Sequence, residues 1–106
     1  MATVEAAQTL QTGHIGLNVT DIERSKQFYQ QLFGFDVAKE SYAAERSFVL
    51  LAHEGRLVLT LWQQSAGRFE PRQPGLHHLS FQVGSMDEVR VFEARLRTLD
   101  VPLHYD

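Results

Sequence analysis

The sequence predicts an α+β fold built from two tandem βαβββ units, the second ending after its first strand, its helix and the start of another strand. Two observations carry that prediction. The stretch from Gly13 to Val37, GHIGLNVTDIERSKQFYQQLFGFDV, returns from His77 to Val101 as HHLSFQVGSMDEVRVFEARLRTLDV. The offset is a constant 64 residues, linking His14 to His78, Phe28 to Phe92, Leu32 to Leu96 and Val37 to Val101. Self-similarity at a fixed offset marks a duplicated structural unit. The second observation is a change of period within each copy, from strict alternation to helical spacing.

The elements follow in order. Met1 to Thr12 is rich in Ala, Thr and Gln, has little periodicity and reads as a loose terminal segment. His14 to Val19 alternates, with Ile15, Leu17 and Val19 on one face and His14, Gly16 and Asn18 on the other. That is a strand with two unlike faces, and its apolar face belongs under the following helix. Thr20 or Asp21 can cap that helix, and Thr20 with Glu23 fits a capping box. Phe28, Tyr29, Leu32 and Phe33 form one apolar stripe, and Gly34 is a helix stop. Strands are expected over Phe35 to Lys39, Ser47 to Ala52 and Leu57 to Gln64, with a hairpin turn at His53-Glu54-Gly55-Arg56. On the last of these, Leu57, Leu59 and Leu61 should share a face, and Val58, Thr60, Trp62 and Gln64 the other.

Ser65 to Gly75 holds Gly67, Pro71, Pro74 and Gly75 and reads as a linker. The second copy opens at His77. In it Leu79, Phe81 and Val83 alternate with His78, Ser80 and Gln82. Ser85 with Glu88 repeats the capping pattern, and Val89, Phe92, Leu96 and Leu99 give the second helix its stripe. Val101 to Tyr105 begins a strand. A span equal to that of the first copy would run about 22 residues past Asp106, roughly two strands and their turns. The expected organisation is a loose segment over 1–12 and one domain over 13–106, with a first module at 13–64, a linker at 65–75 and a partial second module from 76.

Composition narrows the function. A chain of 106 residues with a formal net charge of −3 offers no basic surface for nucleic acid or membrane. It has no cysteine, so disulfides and thiolate chemistry are excluded. No stretch reads as a signal peptide or a membrane span, so a cytoplasmic location is expected. No nucleophile triad, phosphate-binding glycine loop or dinucleotide fingerprint is present.

GHIGLNVTDIERSKQFYQQLFGFDV resembles the opening of the vicinal oxygen chelate superfamily, the glyoxalase/bleomycin-resistance/dioxygenase group, and PGLHHLSFQV resembles the opening of its second module. The resemblance covers nearly the whole chain from Gly13. It implies paired βαβββ modules around one cavity, often holding a divalent metal such as Mn, Fe, Ni or Zn. It places His14 and His78 at the first-strand ligand positions of the two modules. On the last strand of module one it places Thr60 near a position where a glyoxalase I-type site has Glu or Gln. The usual carboxylate on the last strand of module two would fall beyond Asp106. The pattern is closer to the three-ligand members, the extradiol dioxygenases and the fosfomycin-resistance transferases. Thr60, Trp62, Asn18 and Gln82 are the expected lining of a substrate cavity.

Each assignment has a structural alternative. His14 and His78 could line the cavity of a metal-free member, and Trp62 could simply pack between modules. His77 reads as structural, pointing to the core side or the module seam, His53 as a surface turn residue and Arg68 and Arg72 as solvated, while His104 with Asp106 could take up an adventitious metal. Two functions are therefore expected to compete. One is a metal-dependent enzyme acting on a small oxygen-rich substrate by bidentate chelation. The other is a metal-free protein that sequesters an aromatic or antibiotic-like ligand, with an inactive fragment as a further possibility. The apolar stripe of the second helix and an unpaired sheet edge point to a homodimer, a second copy covering both.

Overall fold

In the computed structural model, which describes residues 9–103, the order of elements is β1 (Ile15–Val19), α1 (Ile22–Phe33), β2 (Asp36–Ala43), β3 (Arg46–His53), β4 (Arg56–Gln63) and α2 (Met86–Thr98). The four strands make one sheet in the order β1-β4-β3-β2, with β1 parallel to β4 and the other neighbours antiparallel. The α+β class and the first βαβββ unit are as expected.

Local chemistry sets the boundaries. Asp21, not Thr20, is the N-cap of α1, its side chain accepting from the Arg24 N–H at 3.1 Å. Gly34 ends the helix in the left-handed region at φ 71°, where a Cβ would be strained. The β3–β4 turn has positive φ at both Glu54 (51°) and Gly55 (77°). A two-residue hairpin needs that twist to continue into its strands. Ser85 caps α2 by accepting from the Glu88 N–H, while the Glu88 carboxylate accepts from the Gly84 N–H.

The core lies between the sheet and α1. Ile22, Phe35, Val49, Leu51, Leu59 and Leu61 form its buried centre, with Ile15, Leu17, Val19, Tyr29 and Phe33 packed against it. The alternation in β1 and β4 thus selects the core face as expected, with one exception. A bulge between Leu51 and Ala52 shifts the β3–β4 register. Val58 packs against the core, instead of joining Thr60 and Trp62.

The second copy departs from expectation. Residues 77–83 form no strand, and no strand is assigned over 101–103. The rest of that expected final strand lies outside the described residues, as do His104, Tyr105 and Asp106. Leu79 still packs against the core. Phe81 still meets Phe33 and Phe35, at ring separations of 5.0 and 6.0 Å. The side chains keep their alternation, but among the described residues the backbone has no ladder partner, and a strand without one has no hydrogen bonds to hold it. The α2 helix docks on the end of α1 through Phe92 against Phe33 (5.4 Å) and an Arg95 guanidinium hydrogen bond to the Leu32 carbonyl at 2.9 Å. None of its residues is buried.

Candidate functional site

The sheet face opposite α1 carries the site. Strand register aligns its side chains in two rows. Gly16, Thr60, Leu50 and Lys39 form one, and Asn18, Trp62, Phe48 and Ser41 the other. Directly opposed residues in a sheet share a face.

Thr60 is only 4% exposed, although it lies on this face. Its hydroxyl oxygen accepts the Trp62 indole N–H at 3.0 Å. Gly16 makes room for the pair, because a Cβ there would stand 3.1 Å from the Thr60 hydroxyl and 3.9 Å from the indole nitrogen. Trp62 is half-buried, and its ring tilts against Phe48 at 5.2 Å. The Arg46 guanidinium lies over the other ring of that pair, 5.6 Å from the Phe48 centroid. The result is one half-buried indole backed by the buried Phe48 ring (7% exposed), with a cation over Phe48 and exposed Lys39 in the neighbouring row. Such a surface suits a small ligand with a flat or apolar part for the exposed side of the indole and an anionic, oxygen-rich group for the guanidinium.

The expected site residues are placed as follows. Thr60 and Trp62 stand together at the centre. Asn18 is in the same row, but its side-chain oxygen accepts from the Gln64 N–H at 2.9 Å, so half of its amide fastens the ends of β1 and β4. His14 is exposed and immediately precedes β1, at the position continuing the Gly16–Asn18 side. His78 is exposed, and its Nδ1 lies 2.9 Å from Nδ1 of His77. His77 is therefore not in a core or seam position but is the exposed neighbour of His78. Gln82 lines clefts beside His53 and Phe81. Phe48, Arg46 and Lys39 were not singled out by the sequence. Strand three reads as uniformly apolar, so its faces become distinguishable only once its register with Trp62 is known.

Whether a divalent metal fits can be tested on this donor set. Among the described residues no three His, Cys, Asp or Glu side chains gather where they could hold an ion. Thr60, at the position where a carboxylate or amide ligand is expected, is buried with its oxygen already accepting a hydrogen bond. The described residues therefore do not make a complete metal site.

A four-stranded βαβββ sheet with a free face bounded by first- and last-strand residues defines a class, and the comparisons agree with it. The chain belongs to the Glyoxalase/Bleomycin resistance protein/Dioxygenase superfamily, whose family model matches residues 11–105. It is 35% identical over 95 residues to the trivalent organoarsenical cleaving enzyme of Bacillus sp. (strain MD1), a match covering 88% of this chain and 53% of that protein. Among solved structures, the glyoxylase/bleomycin resistance protein/dioxygenase domain from Frankia sp. EAN1pec superposes with a TM-score of 0.76 at 28% identity, covering 88% of this chain and 76% of that one. A mutant of the fosfomycin resistance protein FosX from Listeria monocytogenes, complexed with Mn(II) and 1S,2S-dihydroxypropylphosphonic acid, gives 0.71 at 19% identity, covering 92% and 75%. This last likeness is one of fold. The chain spans between 53% and 64% of the length of the curated relatives it matches.

Proposed function

We propose that this chain binds a small oxygen-rich anion on the face formed by Gly16, Thr60, Trp62 and Phe48, with Arg46 and Lys39 supplying the charge. The observation that supports this most is the Trp62–Thr60–Gly16 arrangement. An aromatic ring is fixed by a hydrogen bond on a sheet face that neither helix covers, where in an isolated sheet a polar side chain would be expected. The half-buried Trp62 ring would pack on the ligand, with buried Phe48 backing it, and the guanidinium would pair with the ligand's charge. Trp62 is the only tryptophan in the chain, so its emission reports on this face alone.

A second copy of the chain is the proposed occupant above this face, which would close it into a cavity. Large apolar side chains of the second copy support this reading. Met86 is 64% exposed and Val91 48%, and among the described residues β1 has no neighbour on its outer edge.

A second reading is a divalent-metal enzyme acting on a small oxygen-rich substrate. Its support is the identical place of His14 and His78 in the two copies. It needs a carboxylate from outside the described residues.

The experiment is a fluorescence titration with 1S,2S-dihydroxypropylphosphonic acid and with catechol, joined to metal analysis of the purified protein. The binding reading expects saturable change in Trp62 emission with no metal present, and phosphonate binding weakened by Arg46→Ala more than catechol binding. Stoichiometric Mn, Fe, Ni or Zn that is lost in His14→Ala would favour the enzyme. No change in emission with either compound, with or without metal, would refute the site.

A further inference from the structure

A cavity lies on the helix side of the sheet, away from the Trp62 face. It is lined by Phe33, Phe35, Val58, Phe81, Val83 and Phe92, with His53 and Gln82 at its edge, and its volume is about 160 Å³. Four phenylalanines dominate its wall. Phe33 is the hub, meeting Phe35 at 5.2 Å, Phe81 at 5.0 Å and Phe92 at 5.4 Å. The rings come from three parts of the chain, the end of α1 with the residue after its Gly34 cap, the 77–83 segment and α2. The cavity therefore exists only where the second copy folds back on the first.

We propose that this cavity binds a small monocyclic aromatic molecule with one polar substituent, of the size of phenol. Three observations point to that class. The volume matches that of an apolar protein cavity that takes up benzene, about 150 Å³. The wall offers ring edges and faces in tilted and edge-on arrangements, and another ring can join these with favourable quadrupole contacts. Among the described residues the polar side chains lining it are the His53 imidazole, 6.2 Å and edge-on from the Phe35 ring, and the Gln82 amide, while the Arg95 guanidinium lies over the Phe92 ring at 5.2 Å. A hydroxyl can be satisfied at that edge, whereas a polar group on the opposite side of the ring would have to enter the apolar wall. Val58 joins this wall because of the β3–β4 bulge, so the bulge shapes the cavity. The site is independent of the anion-binding reading, being across the sheet from Trp62.

The test is a phenol titration of the whole chain followed by methyl and indole NMR. Ring-current shifts at the Val58 and Val83 methyls that saturate, with the Trp62 indole N–H unmoved, are expected. Phenol should also raise the thermal midpoint, as any ligand specific to the folded state does. Val83→Phe fills the space and should lose both effects. If that variant does not fold, the methyl map of the unmodified protein decides alone. Absence of saturable shifts at Val58 and Val83, shifts centred on Trp62 instead, or undiminished binding by folded Val83→Phe would each overturn the proposal.

Discussion

At the residue scale, one hydrogen bond and one missing Cβ define the candidate face. Thr60→Val keeps the shape of the side chain but leaves the Trp62 indole N–H without its acceptor, which costs about 1–3 kcal/mol where the donor is shielded from water. Urea unfolding should show that loss, and the indole resonance should move. Thr60→Ser retains the hydroxyl and should keep the resonance in place. A second residue-scale feature is the Lys26–Glu40–Tyr42 cluster between α1 and β2, with Lys26 Nζ 2.9 Å from Glu40 and 3.2 Å from the Tyr42 hydroxyl, which itself donates to Glu40 at 2.8 Å. The hydrogen bond from Lys26, and then that from Tyr42, hold the Glu40 carboxyl below the usual carboxylate range. A depressed carboxyl contributes stability above its unfolded value, about 4.3, and loses it as pH falls through the folded value. Glu40→Gln should therefore lower stability slightly at neutral pH, where the exposed cluster contributes, and flatten the acid limb so that the two proteins converge below about pH 4. An acid limb identical to that of the unmodified protein would show the cluster to be inert. The sequence made Thr60 and Trp62 visible, because alternation in a strand is a strong signal. It did not show Gly16 as the residue that admits them, nor Arg46 and Phe48, because those roles depend on which strand lies alongside.

At the element scale, α1 and β1 to β4 were legible and the second copy was only partly so. Caps, turn glycines and period gave the first unit, because each is a local rule. Positive φ at Gly34 makes Gly34→Ala cost about 1–2 kcal/mol, read by thermal unfolding. Ser85→Ala should remove about 1 kcal/mol of helix stability, lowering the helicity of α2 more than that of α1. The strand expected over His78 to Val83 has the right alternation and faces, yet no ladder forms. A strand's hydrogen bonds come from another segment, so its existence is not a local property. Val58 is the other misreading, since alternation cannot anticipate a bulge. His77 was misplaced for the same reason, as its burial depended on a strand that is not there.

At the scale of the whole molecule, the structure is more extended than a packed domain of this length. Its radius of gyration is 16.7 Å, against about 13 Å expected for roughly 100 residues. The buried centre belongs to the first unit, and Leu51 and Leu59 are fully buried in it. Leu51→Ala should cost about 2–5 kcal/mol, whereas Val91→Ala on exposed α2 should change monomer stability little. If a second copy covers α2, Val91→Asp should shift sedimentation equilibrium from dimer towards monomer while leaving the far-ultraviolet spectrum intact. A monomer at all concentrations in the unmodified protein would contradict that assembly. The central claim is that the free face of the sheet is a ligand site built on Trp62. It is tested most directly by titrating metal-free protein with 1S,2S-dihydroxypropylphosphonic acid while following Trp62 emission. The account predicts a saturable change that weakens in Arg46→Ala. An emission spectrum that does not move at any concentration, in protein shown to be folded, would contradict it.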